Sequence, residues 1–343
     1  MVGRRARLSV RVAAALAAVG LLGTLTACGA GGGVRAASGD LSAHDPALAR
    51  DDAGTWWVYS TGNGTVADGN VQIRSSVDGE HWVYEGEVWS DKPEWLTEAV
   101  KGVDNLWAPE LVRHDGTWYL YYSASRFGKN SSVIALATNS TLDPDDPAFE
   151  WVDQGPVIAS TTSDDFNAID PGVITDDDGT PWMAFGSFWS GIRMVELEWP
   201  SGLRTGGTAA DDTTGDAEPL RLADRGAPPN AIEAPYLVEH DGAYFLFVSR
   251  DACCQGAKST YNMAVGRADA PTGPFVDRDG VPLLDGGGTP LLATDGSRVG
   301  PGGQSVWGDS IAFHYYDADA GGAFRLAIAE LEWDDEGWPV VRW

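Results

Sequence analysis

The chain has 343 residues, of which 43% are hydrophobic, and it contains 43 glycines and 15 tryptophans. This content is enough for a sizeable core and excludes a wholly disordered chain. The 50 acidic residues outnumber the 23 basic ones, giving a net charge of −27, which excludes nucleic-acid binding, disfavours polyanionic substrates and favours neutral ligands.

Residues 1–27 have the pattern of a bacterial signal peptide. A basic stretch that ends at Arg11 is followed by an apolar run, 12–25, which is too short for a stable membrane span. The run ends in Leu25-Thr26-Ala27-Cys28-Gly29, which resembles a lipobox, where the cysteine is lipidated and becomes the mature N-terminus. We therefore expect a secreted, extracellular cell-surface lipoprotein that meets the membrane only through a lipid anchor on Cys28. An ordinary secretory signal with an incidental cysteine is the alternative.

One sequence pattern recurs along the rest of the chain: a proline-led apolar strand, a tight turn with glycine, and an aromatic-rich strand. The prolines stand at 46, 109, 171, 235 and 301, so they are 63, 62, 64 and 66 residues apart. The turn glycines at 54, 116, 179, 242 and 308 keep nearly the same period. Each unit is predicted to begin with a hairpin, because glycine supplies the positive φ that such turns need.

The period predicts the architecture. Roughly 60 residues hold four strands with their loops, and five such units arranged radially make a β-propeller. We therefore predict an all-β fold, a five-bladed β-propeller, over residues 40–343. The glycine- and alanine-rich residues 28–39 are predicted to be a flexible tether. A two-sheet β-sandwich is the alternative, but it gives no reason for so regular a period.

Superposing the units on their prolines brings three acidic residues into register. Asp45 and Asp170 directly precede their prolines, and Glu233 stands one position earlier in its unit. Because the first strand of each propeller blade lines the central channel, these carboxylates are expected to meet in one pocket. Aspartate before proline often only caps a turn, but three acids in register within apolar strands favour a shared site.

Paired carboxylates that face one bond are what glycoside hydrolysis requires. One protonated group delivers a proton to the leaving oxygen, and one ionised group activates water or attacks carbon. A third carboxylate nearby can keep the acid protonated, because negative charge raises a neighbour's pKa. The pattern therefore predicts a glycosidase with Asp45, Asp170 and Glu233 as its catalytic residues.

Five further residues are candidates for contact with a sugar. Trp107, Phe127 and Trp189 follow channel-side strands, and aromatic faces suit the apolar faces of sugars. Asn167 and Ser187 are candidates for hydrogen bonds to hydroxyl groups. For the aromatic residues, a place in an interface between blades is the alternative.

Cys253 and Cys254 are the only cysteines besides Cys28. Adjacent cysteines cannot cross-link distant parts of the chain, so stability must come from the core. The pair forms either a vicinal disulfide or two free thiols, and both readings stay open. Without a histidine or further cysteine nearby, it makes a poor zinc site.

Several motifs together resemble family 43 of the glycoside hydrolases. They are His44-Asp45-Pro46, Trp107-Ala108-Pro109-Glu110, Ile169-Asp170-Pro171-Gly172, Ile232-Glu233-Ala234-Pro235-Tyr236-Leu237 and His314-Tyr315-Tyr316-Asp317. The endo-1,5-α-L-arabinanase branch is the most similar, because Cys253-Cys254-Gln255-Gly256 and Ser259-Thr260-Tyr261-Asn262 resemble it too. The resemblance covers roughly residues 40–343.

The resemblance implies an enzyme that cleaves α-1,5-linked arabinan, a neutral plant cell-wall polysaccharide, with inversion of configuration, and we expect it to act as a monomer. Asp45 would be the general base, Glu233 the general acid, and Asp170 the residue that tunes the pKa of the acid and orients it. Two alternatives stay open. One is an exo-acting α-L-arabinofuranosidase or β-xylosidase on the same scaffold, and the other is a carbohydrate-binding propeller without catalysis.

One departure from the family concerns a metal ion. Many relatives carry a Gly-Pro-Gly-His-Asn-Ser stretch in the fifth blade, and the resemblance implies that its histidine faces a channel cation, usually calcium. Here the stretch reads Gly300-Pro301-Gly302-Gly303-Gln304-Ser305, so Gly303 replaces that histidine. Either Gln304 substitutes, or His314 or waters hold the ion, or there is no ion. Histidine is a poor calcium ligand, and a core histidine bonded to a backbone carbonyl is the other interpretation of His314.

Overall fold

The computed structural model describes Met1 and residues 37–64, 70–206 and 218–343. All described strands belong to one structural unit, Gly32–Trp343. The predicted signal peptide and the predicted lipid anchor at Cys28 lie outside the described residues, apart from Met1. Among the described residues, no helix has the length and apolar character needed to cross a membrane.

The strands form five sheets, and each sheet is built from one continuous stretch of chain. Blade 1 contains β1 (Ser38–Gly39), β2 (Ala47–Arg50), β3 (Trp56–Ser60), β4 (Gln72–Ser76) and β5 (His81–Glu87), and a short helix, α1 (Glu94–Ala99), follows it. Blade 2 contains β6 (Leu106–His114), β7 (Thr117–Ala124), β8 (Ser132–Asn139) and β9 (Val152–Ser160). Neighbouring strands are antiparallel, except that β1, within the segment predicted as a tether, pairs parallel to β5.

The remaining three sheets repeat this plan. Blade 3 contains β10 (Gly172–Thr175), β11 (Pro181–Phe185), β12 (Ile192–Glu198), β13 (Leu203–Arg204) and β14 (Leu220–Ala223). Blade 4 contains β15 (Ile232–His240), β16 (Ala243–Arg250), β17 (Asn262–Ala268) and β18 (Thr289–Leu292), with 3₁₀ helices at Gly256–Lys258 and Leu283–Asp285. Blade 5 contains β19 (Arg298–Trp307), β20 (Ser310–Asp317), β21 (Ala323–Trp333) and β22 (Pro339–Val341), with a 3₁₀ helix at Ala318–Ala320.

The five blades form a ring, which confirms the predicted five-bladed β-propeller. The inner strands β2, β6, β10, β15 and β19 contact one another in a closed cycle. Two of the hairpins that carry them turn through Asp115-Gly116 and Asp241-Gly242, in which both residues have positive φ. That geometry matches the twist of the flanking strands.

The hydrophobic core is divided among the interfaces between blades. Successive side chains of a strand point to opposite faces of its sheet, so each blade buries one face against each neighbour. On β7, Trp118, Leu120 and Tyr122 pack towards blade 1, whereas Tyr119 and Tyr121 pack towards blade 3. Burial of both faces explains why the second strand of each unit is apolar almost throughout.

Blades 5 and 1 close the ring through contacts between their sheets. Among the described residues no strand is shared between these two sheets. The Leu326 amide donates to the carbonyl of Leu41 at 2.7 Å, and the Leu48 amide donates to Ser305 Oγ at 2.9 Å. Trp82 of blade 1 belongs to the apolar cluster that joins these blades.

The residue before each repeat proline adopts an unusual backbone conformation. In all five blades its φ is positive: 48° at Asp45, 38° at Ala108, 59° at Asp170, 49° at Ala234 and 61° at Gly300. The ladder register shifts beside this point in blades 2, 4 and 5. Glycine adopts this conformation freely and aspartate tolerates it better than most residues. The backbone therefore turns in the same way where each inner strand begins.

Candidate active site

A groove of about 1330 Å³ lies where the inner strands begin. It brings together all three predicted catalytic residues, Asp45, Asp170 and Glu233, and all five residues predicted to contact a sugar, Trp107, Phe127, Asn167, Ser187 and Trp189. His314 is fully buried and contacts Asp45 without lining the groove. Positions that are more than 60 residues apart in sequence therefore share one site because the propeller repeats.

Asp45 is held by its neighbours as a carboxylate. Its Oδ2 atom accepts hydrogen bonds from Thr61 Oγ1 at 2.7 Å and from His44 Nδ1 at 2.8 Å. Burial acts to raise the pKa of Asp45, but electrostatic attraction to the His44 and His314 rings and the hydrogen bonds from His44 and Thr61 outweigh it, so the pKa lies well below its usual range. Its other oxygen, Oδ1, accepts no hydrogen bond from the described residues. Asp45 is therefore an ionised group with one oxygen available to a ligand.

Glu233 lies in an environment that favours its protonated form. Burial raises the pKa of Glu233, and the negative charge of Asp45 adds to this effect. Hydrogen bonds from Ser187 and Tyr261 act in the opposite direction, with Ser187 Oγ donating to Glu233 Oε2 at 2.7 Å. The net direction is upward, so Glu233 keeps its proton to a higher pH than an exposed glutamate.

Asp170 completes the trio and is tied to the backbone beside Glu233. Its Oδ2 atom accepts a hydrogen bond of 3.1 Å from the amide of Ala234, and its own amide donates to Ser123 Oγ at 3.0 Å. Burial, followed by the charges of Glu233 and Asp45, raises the pKa of Asp170 well above its usual range. The groove therefore combines one carboxylate that stays ionised with two carboxyls that resist ionisation.

A directed chain of hydrogen bonds leads away from Asp45. Because His44 Nδ1 donates to Asp45, a neutral His44 accepts at Nε2, where the hydroxyl of Tyr316 lies at 2.8 Å. The Tyr316 oxygen in turn accepts the amide hydrogen of Cys254 at 2.8 Å. Cys254 forms a disulfide with Cys253, which decides between the two states that the sequence left open.

On its other side Asp45 contacts His314. The Asp45 amide donates to His314 Nδ1 at 3.2 Å, so the hydrogen of a neutral His314 must lie on Nε2. Burial, followed by the charge of His44, lowers the pKa of His314 well below its usual range, which favours that neutral form. The His44 and His314 rings stack with centroids 3.6 Å apart.

The donor atoms around Asp45 do not fit a calcium ion. His44, Asp45 and His314 bring their ligand atoms within 4.8 Å of one another. However, both nitrogens of His44 already have protein partners, and His314 uses Nδ1 to accept from Asp45 and carries hydrogen on Nε2. Calcium prefers six to eight oxygen ligands.

The described residues of the neighbouring channel provide no better calcium site. Gln304 is occupied, because its amide nitrogen donates to the Ala234 carbonyl at 2.6 Å and its oxygen accepts from Ser249 Oγ at 2.9 Å. The cavity beneath, lined by Asp45, Glu110 and Asp170, measures about 30 Å³. That volume holds one or two waters rather than a hydrated calcium ion.

The groove wall also carries aromatic rings. Phe127 is 81% exposed and Trp189 is 39% exposed. Phe188 and Trp189 both have positive φ, at 55° and 39°, and backbone hydrogen bonds hold them: the Phe188 amide donates to Ile232 O, and Asn230 Nδ2 donates to Trp189 O. Asn167 is buried and accepts from Ser132 Oγ at 2.7 Å.

Three functional neighbours were not identified from the sequence. Thr61 follows β3 in a loop with no motif, so nothing in the sequence indicated that it would bond to Asp45. Tyr261 and Tyr316 stand within motifs that resemble the family, but the contact of Tyr261 with Glu233 depends on the fold of the loop before β17, and that of Tyr316 with His44 on packing between blades 5 and 1. The place of Tyr261 and Tyr316 within those motifs was the only available signal.

Comparison with known proteins agrees with this geometry. The family model described as Glycosyl hydrolases family 43 matches residues 39–339. An extracellular exo-α-(1→5)-L-arabinofuranosidase of Cellvibrio japonicus is 37% identical over 344 residues, covering 95% of this chain and 91% of the relative. An extracellular endo-α-(1→5)-L-arabinanase of Bacillus subtilis is 38% identical over 298 residues, covering 86% of each.

A solved structure extends the agreement to three dimensions. A GH43 endo-arabinanase from Bacillus licheniformis superposes with a TM-score of 0.81 at 36% identity, covering 89% of this chain and 99% of that one. A carboxylate trio gathered by a five-bladed ring and a family match over nearly the whole propeller lead to one conclusion. The chain belongs to family 43 of the glycosyl hydrolases and is a glycosidase.

Proposed function

We propose that this glycosidase hydrolyses α-1,5-linked arabinan as an endo-acting, inverting enzyme. The observation that carries the proposal is that two carboxyl groups in one groove have pKa values shifted in opposite directions: that of Asp45 lies below its usual range and that of Glu233 above it. Single displacement needs one group of each kind. The names of the Cellvibrio and Bacillus relatives, which both specify α-(1→5) linkages between arabinose units, support the substrate.

The proposed reaction uses Glu233 as the acid and Asp45 as the base. Glu233 donates its proton to the glycosidic oxygen while a water attacks the anomeric carbon from the opposite face, and the bond between that carbon and the oxygen breaks. Asp45 takes a proton from the attacking water through Oδ1, since Oδ2 is already bonded to His44 and Thr61. Because the donor atoms do not fit calcium, no step is assigned to a metal ion.

Asp170 supports the acid in two ways. The two neighbouring carboxyls oppose each other's ionisation, so the pair keeps a proton to a higher pH than either group would alone, and that proton stays available for the glycosidic oxygen. Its hydrogen bond to the amide of Ala234, the residue after Glu233, fixes the backbone that carries the acid. Asp170 is therefore a pKa modulator and a positioning residue for Glu233.

The rest of the groove suits a neutral polymer. A net charge of −27 repels polyanions, whereas arabinan carries no charge. The exposed rings of Phe127 and Trp189 in the groove offer flat apolar surfaces to the sugar units of a polymer. These features favour binding of the internal units of a polysaccharide over recognition of a charged end group.

Product analysis tests the proposal. The enzyme is incubated with linear arabinan, debranched arabinan, xylan and aryl glycosides, and the products are followed over time. We expect oligosaccharides early in the reaction on linear arabinan, and the first anomer seen by NMR to be inverted. Release of monosaccharide from the start would instead establish an exo-acting α-L-arabinofuranosidase, or a β-xylosidase if xylan is the better substrate. Retention of configuration would contradict the assignment of Asp45 as a base.

We further propose that the protein is secreted and anchored by a lipid on Cys28. The word extracellular in the names of both curated relatives supports secretion, and the lipobox-like Leu25-Thr26-Ala27-Cys28 supports the anchor. Cys28→Ala is expected to release the enzyme from the membrane fraction into the medium. An unchanged distribution would overturn the lipid anchor, but it would not bear on the proposed activity.

A further inference from the structure

The disulfide between Cys253 and Cys254 lies in the wall of the groove that holds the catalytic carboxyls. Both cysteines line this groove together with Asp45 and Glu233. They belong to the loop between β16 and β17, and Cys254 is exposed. A disulfide that faces the substrate groove can be reached by small thiols, unlike one buried in the core.

The bond restrains the backbone at this point. Linking adjacent cysteines closes a small ring that includes the peptide bond between them, and Cys254 has a φ of 63°, a region that residues with a Cβ rarely occupy. Nearby hydrogen bonds fasten the loop: the Gln255 amide donates to Ser259 Oγ and the Ala252 amide to Thr260 Oγ1, both at 3.1 Å. The direction of the Cys254 amide is thereby fixed.

That amide is the first donor in the chain of hydrogen bonds that ends at Asp45. It donates to the Tyr316 hydroxyl, which donates to His44 Nε2, and His44 Nδ1 donates to Asp45 Oδ2. Each of these donor–acceptor distances is 2.8 Å. The two members in the middle, Tyr316 and His44, each accept one bond and donate the next, so the direction of each bond depends on the one before it. The disulfide loop is thus joined to the candidate base through two side chains.

We propose that the Cys253–Cys254 disulfide is a positioning element for the base Asp45, acting through Tyr316 and His44. The inference rests on the proposed function, since it assigns Asp45 the role of base. In the reduced protein the ring is open, Cys254 is free to leave its unfavourable φ, and its amide no longer orients the Tyr316 hydroxyl. His44 then holds Asp45 less firmly.

The chemical step is a thiol–disulfide exchange with a dithiol reductant. The S–S bond breaks, each sulfur gains one electron and one proton, and the two thiols of the reductant are oxidised to a disulfide. The titratable groups that surround the Asp45–His44 pair must be considered when the pH dependence is interpreted. They are His314 and Tyr316 from β20, Tyr261 from the loop after β16, Asp170 before β10, and Glu233 on β15.

The test compares initial rates of the full chain on linear arabinan across pH, before and after reduction with dithiothreitol, with thiol titration to verify the redox state. We expect reduction to lower kcat by about fivefold, the size of one lost hydrogen bond, and to move the acid limb of the pH profile upward by about half a unit. Loss of structure alone would lower activity without moving that limb.

Two variants identify the route. Cys253→Ser with Cys254→Ser is expected to behave like the reduced protein and to be insensitive to dithiothreitol, which also excludes an effect through Cys28. Tyr316→Phe is expected to show the same shift of the acid limb and no further response to reduction. A full response to reduction in Tyr316→Phe, or a wild-type profile that reduction leaves unchanged, would overturn the proposal.

A second measurement separates this inference from the proposed function. If the oxidised wild type fails to hydrolyse arabinan, the proposed function fails, but the contact can still be read by ¹⁵N NMR of the histidine rings. The His44 signals are identified by their loss in His44→Gln. They are expected to shift when the wild type is reduced, and not to shift when Tyr316→Phe is reduced. Unchanged His44 signals in reduced, folded wild type would overturn the positioning role by themselves.

Discussion

Asp45 and Asp170 occupy the same position in blades 1 and 3, directly before the repeat proline and with φ values of 48° and 59°, yet their pKa values move in opposite directions. Both are partly buried, so burial does not distinguish them. The difference lies in their partners: among the described residues, His44 and Thr61 donate to the Asp45 carboxylate, whereas the Asp170 carboxyl lies near Glu233 and accepts from the Ala234 amide alone. The repeat supplies two equivalent carboxyls, and the side chains around them separate their roles.

Replacing Asp170 by asparagine is expected to move the alkaline limb of the kcat profile to lower pH. Glu233 works while protonated, so activity is lost as pH rises through its pKa, and the neighbouring Asp170 carboxyl makes the pair resist losing both protons. Asparagine cannot ionise, so this mutual effect disappears and the limb should move downward by about one unit. Rates measured across pH on linear arabinan check this. A limb that stays in place would show that Asp170 only positions the acid.

Glu233→Gln is expected to lower kcat on arabinan by about a hundredfold or more, because the leaving oxygen no longer receives a proton. Aryl arabinosides with good leaving groups should lose much less, since they depart without full protonation. Glu239→Gln is the matched control, because Glu239 lies on the same strand with an exposed side chain. Equal losses on both classes of substrate would argue against Glu233 as the acid.

Gly303 is expected to tolerate no side chain. A Cβ there would lie 2.9 Å from His314 Nδ1 and even closer to Asp45 Oδ1, the oxygen proposed to take the proton from water. Gly303→Ala should therefore displace the base and lower kcat by about tenfold or more.

Gly308→Ala is the control for that experiment. Gly308 has nearly the same positive φ, 57° against 61°, but a Cβ there meets nothing within 4 Å. Both variants should lose about 1–2 kcal/mol of stability from backbone strain, which thermal unfolding measures, whereas only Gly303→Ala should lose activity. Similar activity in the two variants would show that the space beside Asp45 is not limiting.

Chelation is expected to leave the activity unchanged within about twofold, because the histidine nitrogens and Gln304 amide near Asp45 already have protein partners or carry hydrogen. The measurement is the rate on arabinan before and after exhaustive dialysis against EDTA, together with elemental analysis of the purified protein. Stoichiometric calcium, or activity that returns only when calcium is added, would contradict the donor assignment.

The exposed rings of Phe127 and Trp189 are expected to contribute to substrate binding rather than to the chemical step. Phe127→Ala and Trp189→Ala should each raise KM on arabinan by about threefold to tenfold, the range for one aromatic stacking contact, with little change in kcat. Leu284→Ala is the control, because Leu284 is as exposed as Trp189, at 39%, and does not line the groove. A fall in kcat with unchanged KM would place these rings nearer to the chemistry than proposed.

Much of the fold could be predicted because it repeats. The period of the prolines and turn glycines fixed the number of blades, and the shared position before the proline brought Asp45 and Asp170 to the same place in the ring. Glu233 could be found because it stands only one position before the aligned aspartates in the superposed repeats. These are local rules of strand geometry that a sequence records directly.

The partners of the carboxyls could not be predicted by the same means. Thr61 lies in a loop of blade 1, and Tyr316 lies 272 residues from His44, so their contacts depend on how neighbouring blades dock. The disulfide depended on the backbone conformation at Cys254, which spacing does not determine. The direction of each pKa shift is likewise a sum over side chains from several blades.

The interface between blades 5 and 1 determines when during folding the active site becomes complete. Asp45 comes from the first blade, whereas His314 and Tyr316, which hold it and His44, come from the last. A nascent chain that has made four blades therefore carries the acid Glu233 but a base that lacks its contacts with blade 5. Catalytic competence should arrive as the final event of folding and be the first property lost when heat or denaturant loosens the ring.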